Sequence, residues 1–564
     1  MPVRFAVSSR VDRGSHGASN FRPNELKIGQ TGPEELSVTE SSGLVQPKII
    51  CPHCWHNFYA DHAYYISRHP ELHGDVVLPQ ENRRFAPGEV QRGRDGIVRD
   101  QKGWEILERA CPVCHLQIPA ELLIRSPFFV SVVGAPRSGK TYFLASMIHW
   151  LRKELAQDFG YSLHDSDSHE VRAFQEYEGR LFYTANPADL TYLDKTQEYG
   201  ALYNRPIIDG VEVTLPKPFI FTFRPTETNP DQTSVVKRNC MVLYDNAGES
   251  FEPQQDQKAN TRVTHHLAES DAVLFAFDPL QDSSVRSKLL AASNDPQLNK
   301  AAVSHRQETI LKEIVNRIRR YTGRTGPKKL KPLLAVCVQK YDVWKSLLPY
   351  ARVETGDGDR RWSIDHTSVE FSNRHGIAGL DIEEINRISL LVRNFVNEIN
   401  PQFVAAAEAE FKEVRYFPLS ALGVSPEYND ASELKHQLMV RPSDMQPFRV
   451  THPMLWLLKR WGLIRACRWT NNDSQKFPHL VLREIKDDKM RLAHPQTNRL
   501  ITLDLEYAGG TIIDPTSGEI LWVPPLPDAG PVGKSQTTSP TKTDAPAYKL
   551  PAAPQKPKKG WFRK

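Results

Sequence analysis

One octapeptide constrains this 564-residue chain more than any other feature: Gly134-Ala-Pro-Arg-Ser-Gly-Lys-Thr141. It fits the pattern GxxxxGK[ST]. It stands directly after the apolar run Phe129–Val133 and before Tyr142–Leu155, whose apolar residues recur at helical spacing. Strand, glycine-rich turn and helix in that order require a sheet with a helix springing from its C-terminal edge. The glycines let backbone N–H groups curl around a phosphate, Lys140 adds a point charge for the β- and γ-oxygens, and the Thr141 hydroxyl suits Mg²⁺. Gly134, Ser138, Gly139, Lys140 and Thr141 are therefore the expected triphosphate-binding residues. Arg137, inside the same loop, is either a catalytic cation or an ordinary solvated loop arginine.

Further β-branched and aromatic runs follow at Phe219–Phe223, Cys240–Asp245, Ala272–Asp278, Leu333–Val338 and Val414–Leu419. Helical patterns lie between and beyond them at Ser304–Tyr321, Asp381–Glu398 and Pro453–Trp461. Strands alternating with helices predict an α/β domain with a mainly parallel sheet. Residues 1–46 are rich in Ser, Gly, Asn and Glu without a sustained period and predict a disordered arm. The expected order is that arm, a cysteine-bearing ribbon over 47–127, the α/β domain over 128–467, and a small β module over 468–523. The module rests on runs such as Leu480–Ile485 and Leu500–Leu505. A Pro-rich basic tail over 524–564 completes the chain.

The ribbon is predicted from Cys51-Pro-His-Cys54 and Cys111-Pro-Val-Cys114, two CxxC turns that can bring four thiolates to one tetrahedral Zn²⁺. The 56 residues between them exceed the usual spacing, so an insertion is expected at about Asp61 to Asp100. Redox pairs are the rival reading, but no thioredoxin-like strand and helix frame either turn. His53, His56 and His115 are near enough to substitute as ligands and are read as packing or surface residues. Four thiolates leave no open position, which points to structure or recognition rather than catalysis. Trp55 and Phe58 are the stacking candidates, with Arg83, Arg84, Arg92 and Arg94 offset by acids.

Charge narrows the partners. The net +5 arises from 72 Lys and Arg against 67 Asp and Glu; residues 524–564 hold eight cations and two acids, hence +6, leaving −1 on the rest. A nearly neutral body argues against a broad nucleic-acid surface and favours a protein partner. No apolar run approaches the length of a membrane span and no signal peptide is evident, so a cytoplasmic location is expected.

Three later segments give the nucleotide its identity by resemblance. Asp245-Asn-Ala-Gly248 ends a strand and resembles the DxxG motif of Ras-like GTPases; Gln339-Lys-Tyr-Asp342 resembles NKxD; Ser420-Ala-Leu422 resembles the SA(K/L) motif. Their order and strand-end positions match that fold, and Phe219–Phe223 matches its antiparallel strand. The resemblance implies that Asp245 holds Mg²⁺ through water and that the Gly248 amide senses the γ-phosphate. It implies that Lys340 covers a guanine, Asp342 reads its N1 and N2 hydrogens, and Ser420-Ala421 meet its O6. Thr196, with Thr191 second, is the expected switch threonine. Glu249 stands where Ras-like enzymes carry a water-positioning Gln, so GTP hydrolysis is expected to be slow. An ATPase reading with Asp278 as the metal-binding acid remains the alternative, as does a non-hydrolysing scaffold. With the ribbon, the motifs from about Ile49 to Leu463 resemble the bacterial zinc-ribbon GTPases grouped as double-GTPase proteins of conflict or defence operons. That resemblance implies GTP, Mg²⁺ and Zn²⁺ as cofactors and a second GTPase or effector as partner.

Overall fold

The computed structural model describes residues 48–124, 127–166, 172–194, 202–227, 239–245, 251, 262–290, 293, 295–299, 306–324, 326–348, 364, 370–372, 378–428, 438–467, 479–486, 489–495, 497–505, 511–513 and 520–524. Its centre is a seven-stranded sheet: β1 Phe128–Gly134, β2 Tyr161–Asp165, β3 Phe219–Pro225, β4 Cys240–Asp245, β5 Ala272–Phe277, β6 Leu333–Val338 and β7 Val414–Pro418. They lie in the order β2-β3-β4-β1-β5-β6-β7. The β2/β3 and β3/β4 pairs are antiparallel, and the remaining four pairs are parallel.

All the strands expected in the sheet are present. The additional one, β2, reads Tyr-Ser-Leu-His-Asp, and only Tyr161 and Leu163 are buried. Its alternation is that of an edge strand with one wet face, too short a pattern to separate from a loop in the sequence.

Side-chain alternation along β1, β3 and β4 sorts residues to opposite faces. Val130, Val132, Phe221, Met241 and Leu243 join the large core under the helices. Phe129, Ile220, Cys240, Val242 and Tyr244 face the other way and join Ile49, Trp55, Phe58, Leu116 and Ile118 of the cysteine-bearing segment. That segment therefore forms a layer of the sheet's packing. By contrast β5 is buried on both faces within the main core, which is why it reads as one continuous apolar run.

The helices follow their sequence signals. Helix α1 (Lys140–Gln157) buries Phe143, Leu144, Met147, Ile148, Leu151 and Leu155. Helix α2 (Gln307–Thr322) ends at Gly323, which takes φ 63° as a left-handed cap. Helix α3 (Ile382–Ile399) starts where the Asp381 carboxylate accepts from Glu384 N at 3.0 Å. Helix α4 (Pro401–Glu410) is capped by Asn400, which accepts from Phe403 N at 3.0 Å.

In the segment before the sheet, Tyr64–Ile66 and Arg84–Phe85 add to Arg109–Ala110 and Gln117–Ile118 in a four-stranded sheet, so the expected insertion folds onto the second CxxC hairpin. Near the other end of the described chain, Val481–Lys486, Lys489–Ala493 and Leu500–Asp504 form an antiparallel sheet, with Leu480, Met490, Leu492, Leu521 and Val523 in a small core of its own. Among the described residues no helix is long and apolar enough to cross a membrane.

Candidate functional site

Register brings the ends of the parallel strands to one edge. Asp245 of β4 pairs beside Val132, Ala276 of β5 beside Gly134, and Phe277 beside Val338 of β6. The loops leaving β1, β5, β6 and β7, with Asp245 at the end of β4, thus lie at one crevice beyond the carboxyl ends, where open α/β sheets bind ligands.

The first of these loops is Gly134–Thr141. Gly134 takes φ +150°, and a Cβ there would stand 2.6 Å from the Ala276 carbonyl oxygen, so no larger residue fits. Arg137 has φ 61° and is exposed, and Gly139 has φ 86° as the residue preceding α1. Lys140 is buried and donates to the carbonyls of Gly134 (3.1 Å) and Ala135 (2.9 Å). Thr141 follows in the first turn of α1, half-buried. The hydroxyl of Ser138 is fully buried and has no hydrogen-bond partner among the described residues. Backbone N–H groups at a helix start, a lysine and an unsatisfied hydroxyl make an anion-binding donor set.

The expected base-reading segments converge on that loop. A Cβ on Gly139 would lie 4.0 Å from Gln339 Oε1, and Gln339 Nε2 is another buried atom without a partner among the described residues. Lys340 takes φ 61° and its ammonium meets the Asp278 carboxylate at 2.7 Å. The Ser420 hydroxyl bonds the Asp342 carboxyl, which burial pushes above the usual carboxylate range although that bond pulls it down. Ser420 Oγ also accepts from Gly423 N at 2.8 Å, while the Ala421 carbonyl accepts from Ser146 Oγ of α1 at 2.8 Å. Trp344 Nε1 donates to the Gln339 carbonyl at 2.7 Å and fixes the turn from below.

Two neighbours were not signalled by any motif. Gln281, in the loop leaving β5, donates from Nε2 to the Pro136 carbonyl at 3.1 Å. Gln307 at the start of α2 grips the backbone of Asp278, accepting from its N–H at 2.8 Å and donating to its carbonyl at 3.0 Å. An isolated glutamine carries no spacing signature, whether in a loop or at a helix start. Of the remaining expected residues, Thr191 pairs through its backbone with Val440 at 2.8 and 2.9 Å. Thr196, Gly248 and Glu249 lie outside the described residues.

The second centre is the cysteine cluster. Each CxxC sits in a hairpin: Cys51 N donates to His56 O and Cys111 N to Leu116 O, both at 3.0 Å. The residue after each second cysteine is left-handed, Trp55 at φ 61° and His115 at φ 57°, a conformation that costs a non-glycine residue about 1 kcal/mol. The two turns are thus local copies of each other. Sulfur atoms approach across them, Cys51 to Cys114 at 3.7 Å and Cys54 to Cys111 at 3.6 Å, and all four lie within 4.8 Å of one another. Four thiolates at about 2.3 Å from a tetrahedral zinc stand about 3.8 Å apart, so the set fits that ion. Close approach across the turns as well as within each CxxC is what a shared metal needs and a redox pair does not.

The nearby histidines have other partners. His53 Nε2 lies 2.9 Å from the Gln117 carbonyl, His115 Nδ1 lies 2.8 Å from Asp75, and His56 stacks on Phe58. Trp55 and Phe58, the stacking candidates, are buried at 6% and 4% exposure and are not available to an external base. Arg84 is also buried, bonded to Glu81 and the His115 carbonyl.

Fold and sites together define a mixed α/β protein with a seven-stranded, mostly parallel sheet and an N-terminal four-cysteine cluster. A Mycolicibacterium smegmatis protein with the name "Putative ESX-1 scaffolding and assembly protein SaeC" is 24% identical over 370 residues, covering 63% of this chain and 80% of its own length. No family model matches the chain.

Proposed function

We propose that the chain is a regulatory guanine-nucleotide-binding protein that takes Mg²⁺-GTP at the C-terminal edge of its sheet, hydrolyses it slowly, and holds a structural zinc. The observation that carries this reading is the convergence of Gly134–Thr141, Asp245, Gln339–Asp342 and Ser420–Ala421 at one sheet edge, with buried unsatisfied atoms on Ser138 and Gln339. In this reading Lys140 exchanges its loop carbonyls for phosphate oxygens. Thr141 and Asp245 hold Mg²⁺, which neutralises phosphate charge when bound. Lys340, Asp342, Ser420 and Ala421 surround the base. Gly248 and Thr196 respond to the γ-phosphate, Glu249 orients the attacking water, and Arg137 at the loop's apex offsets charge. The four cysteines hold zinc in a closed site with no position for a reacting water.

The antiparallel β3/β4 pair supports the Ras-like layout. The alternative metal-binding acid, Asp278, is occupied in holding Lys340 and in accepting from Leu280 N at 3.0 Å, which favours GTP over ATP chemistry. A protein partner in the cytoplasm, such as the second GTPase implied by the double-GTPase resemblance, fits the nearly neutral body. A second reading, a nucleotide-stabilised scaffold without turnover, is favoured by the scaffolding role in the name of the M. smegmatis relative.

Equilibrium binding of GTP and ATP to the full chain with Mg²⁺ tests the proposal. GTP should bind preferentially, and Lys140→Ala should abolish binding while zinc content stays at one per chain. Equal affinity for ATP would remove the guanine assignment. Single-turnover hydrolysis by wild type and Glu249→Ala then separates the two readings. A switch predicts slow wild-type turnover that falls further in the variant with GTP affinity kept, whereas absence of hydrolysis under every condition selects the scaffold.

A further inference from the structure

The first cysteine turn is bonded directly to the strand end that carries Asp245. Tyr244, fully buried as the penultimate residue of β4, donates from its hydroxyl to the carbonyl of Pro52 at 2.5 Å, and Pro52 lies between Cys51 and Cys54. The same hydroxyl accepts from the indole N–H of Trp55 at 3.2 Å. The Tyr244 ring stacks on His266 at 4.5 Å, and His266 Nδ1 lies 2.5 Å from the Ser131 hydroxyl. Ser131 belongs to β1, three residues before Gly134, and pairs in register with Tyr244. Trp55 also stacks on His265 at 5.2 Å.

We propose that the metal-loaded first turn clamps the ends of β4 and β1, with Tyr244 as the positioning residue for Asp245, so that metal occupancy sets Mg²⁺-nucleotide binding. The inference rests on the nucleotide reading above. Tyr244 and Asp245 are joined by one peptide unit and project to opposite faces, so whatever holds the tyrosine ring restrains the backbone from which the carboxylate projects. The acceptor for Tyr244 is a carbonyl inside the metal-binding turn, whose shape the ion imposes. An ion bonded to all four sulfurs would tie the first turn to the second by covalent-strength links, where otherwise the turns meet through sulfur approaches of 3.6 and 3.7 Å, the His53–Gln117 contact and apolar packing. Trp55 keeps a left-handed backbone only while its surroundings over-determine it, and its indole bond and ring stack do so when the turn is closed. The link therefore runs from ion to Pro52 and Trp55, then to Tyr244, and from there to Asp245 and, through His266, to the strand before the phosphate loop.

The test uses the full chain and two readouts. Tyr244→Phe deletes both hydrogen bonds and keeps the ring; Trp55→Phe removes the indole N–H together with part of the ring stacked on His265 and serves if the first variant does not fold. With zinc retained, either should weaken GTP binding about tenfold at limiting Mg²⁺ and leave binding in Mg²⁺-free buffer within about twofold of wild type. A packing role alone would not create that Mg²⁺ dependence. Chelating the zinc from wild type should likewise weaken Mg²⁺-GTP binding. It should speed hydrogen exchange at residues 240–245 and 128–134 while leaving 333–338 unchanged. Exchange at 240–245 that ignores zinc, or variants with wild-type Mg²⁺ dependence in a protein that binds GTP, overturns the clamp and spares the nucleotide reading. Zinc-dependent exchange in a protein that binds no nucleotide upholds the clamp and overturns that reading instead.

Discussion

Asp342 illustrates what one residue contributes at the crevice. Its carboxyl is pushed up by burial, and the Ser420 hydroxyl opposes that push by bonding it. A carboxylate so held offers two acceptor oxygens in a fixed plane, the complement of a base edge with two adjacent donors. Asp342→Asn keeps the shape but turns one acceptor into a donor facing another donor. Leaving a buried polar group mismatched in this way costs roughly 1.5–3 kcal/mol, so GTP affinity should fall about 10- to 100-fold. Xanthine nucleotide, which presents an acceptor at that position, should bind the variant better than GTP does. Competition binding with the two nucleotides measures the exchange of preference, and unchanged GTP affinity would show that Asp342 does not face the base. The loop glycine at 134 gives a second residue-scale lesson: its constraint comes from the Ala276 carbonyl on the neighbouring strand, a contact invisible in the motif.

At the scale of an element, the short helix His266–Glu269 shows how position overrides residue type. His266 is fully buried, and burial, aided by His265 and Arg317, pushes its pKa down to about 3. The unfolded chain takes up a proton at this residue below about pH 6.5, while the folded chain does not until about pH 3. Between those values the unfolded state binds more protons, so this histidine lowers stability progressively as pH falls from about 6.5. Urea denaturation at pH 7.0 and 5.5 should show that loss, and His266→Gln should show a shallower pH dependence than wild type. An identical slope in both proteins would mean that the ring is protonated in the native state or that other groups dominate. The two cysteine turns make a related point. Trp55 and His115 occupy equivalent left-handed positions, where a glycine would have advertised the bend. The paired CxxC spacing is plain in the sequence, but the left-handed residue that closes each turn is shown only by the backbone.

Across the whole molecule, the cysteine-bearing segment covers the β3/β4/β1 face of the sheet in one continuous apolar cluster. Metal loss should therefore be felt beyond the cysteine turns themselves. Cys51→Ser with Cys111→Ser should abolish zinc binding and lower the melting temperature of the sheet domain by about 10 °C, in one transition shared with the ribbon. Two separate transitions, or a double mutant that keeps full zinc, would contradict this. The sequence by itself determined the strand–loop–helix at Gly134–Thr141, the other sheet strands expected from it, and the two CxxC turns, because each depends on local periodicity and spacing. It also carried the positions of Asp245 at a strand end and of Ser420 and Asp342 two and four residues beyond one, since apolar runs end where loops begin. Only the tertiary structure decided that the edge strand Tyr161–Asp165 joins the sheet, that Gln281 and Gln307 brace the loops, and that Trp55 is buried. Trp55 and Tyr244 meet across 189 positions of chain, and no local pattern specifies such a contact. The alternation of β4 does require Tyr244 to face away from the helices; what fills that face is fixed only when the cysteine turns pack against it.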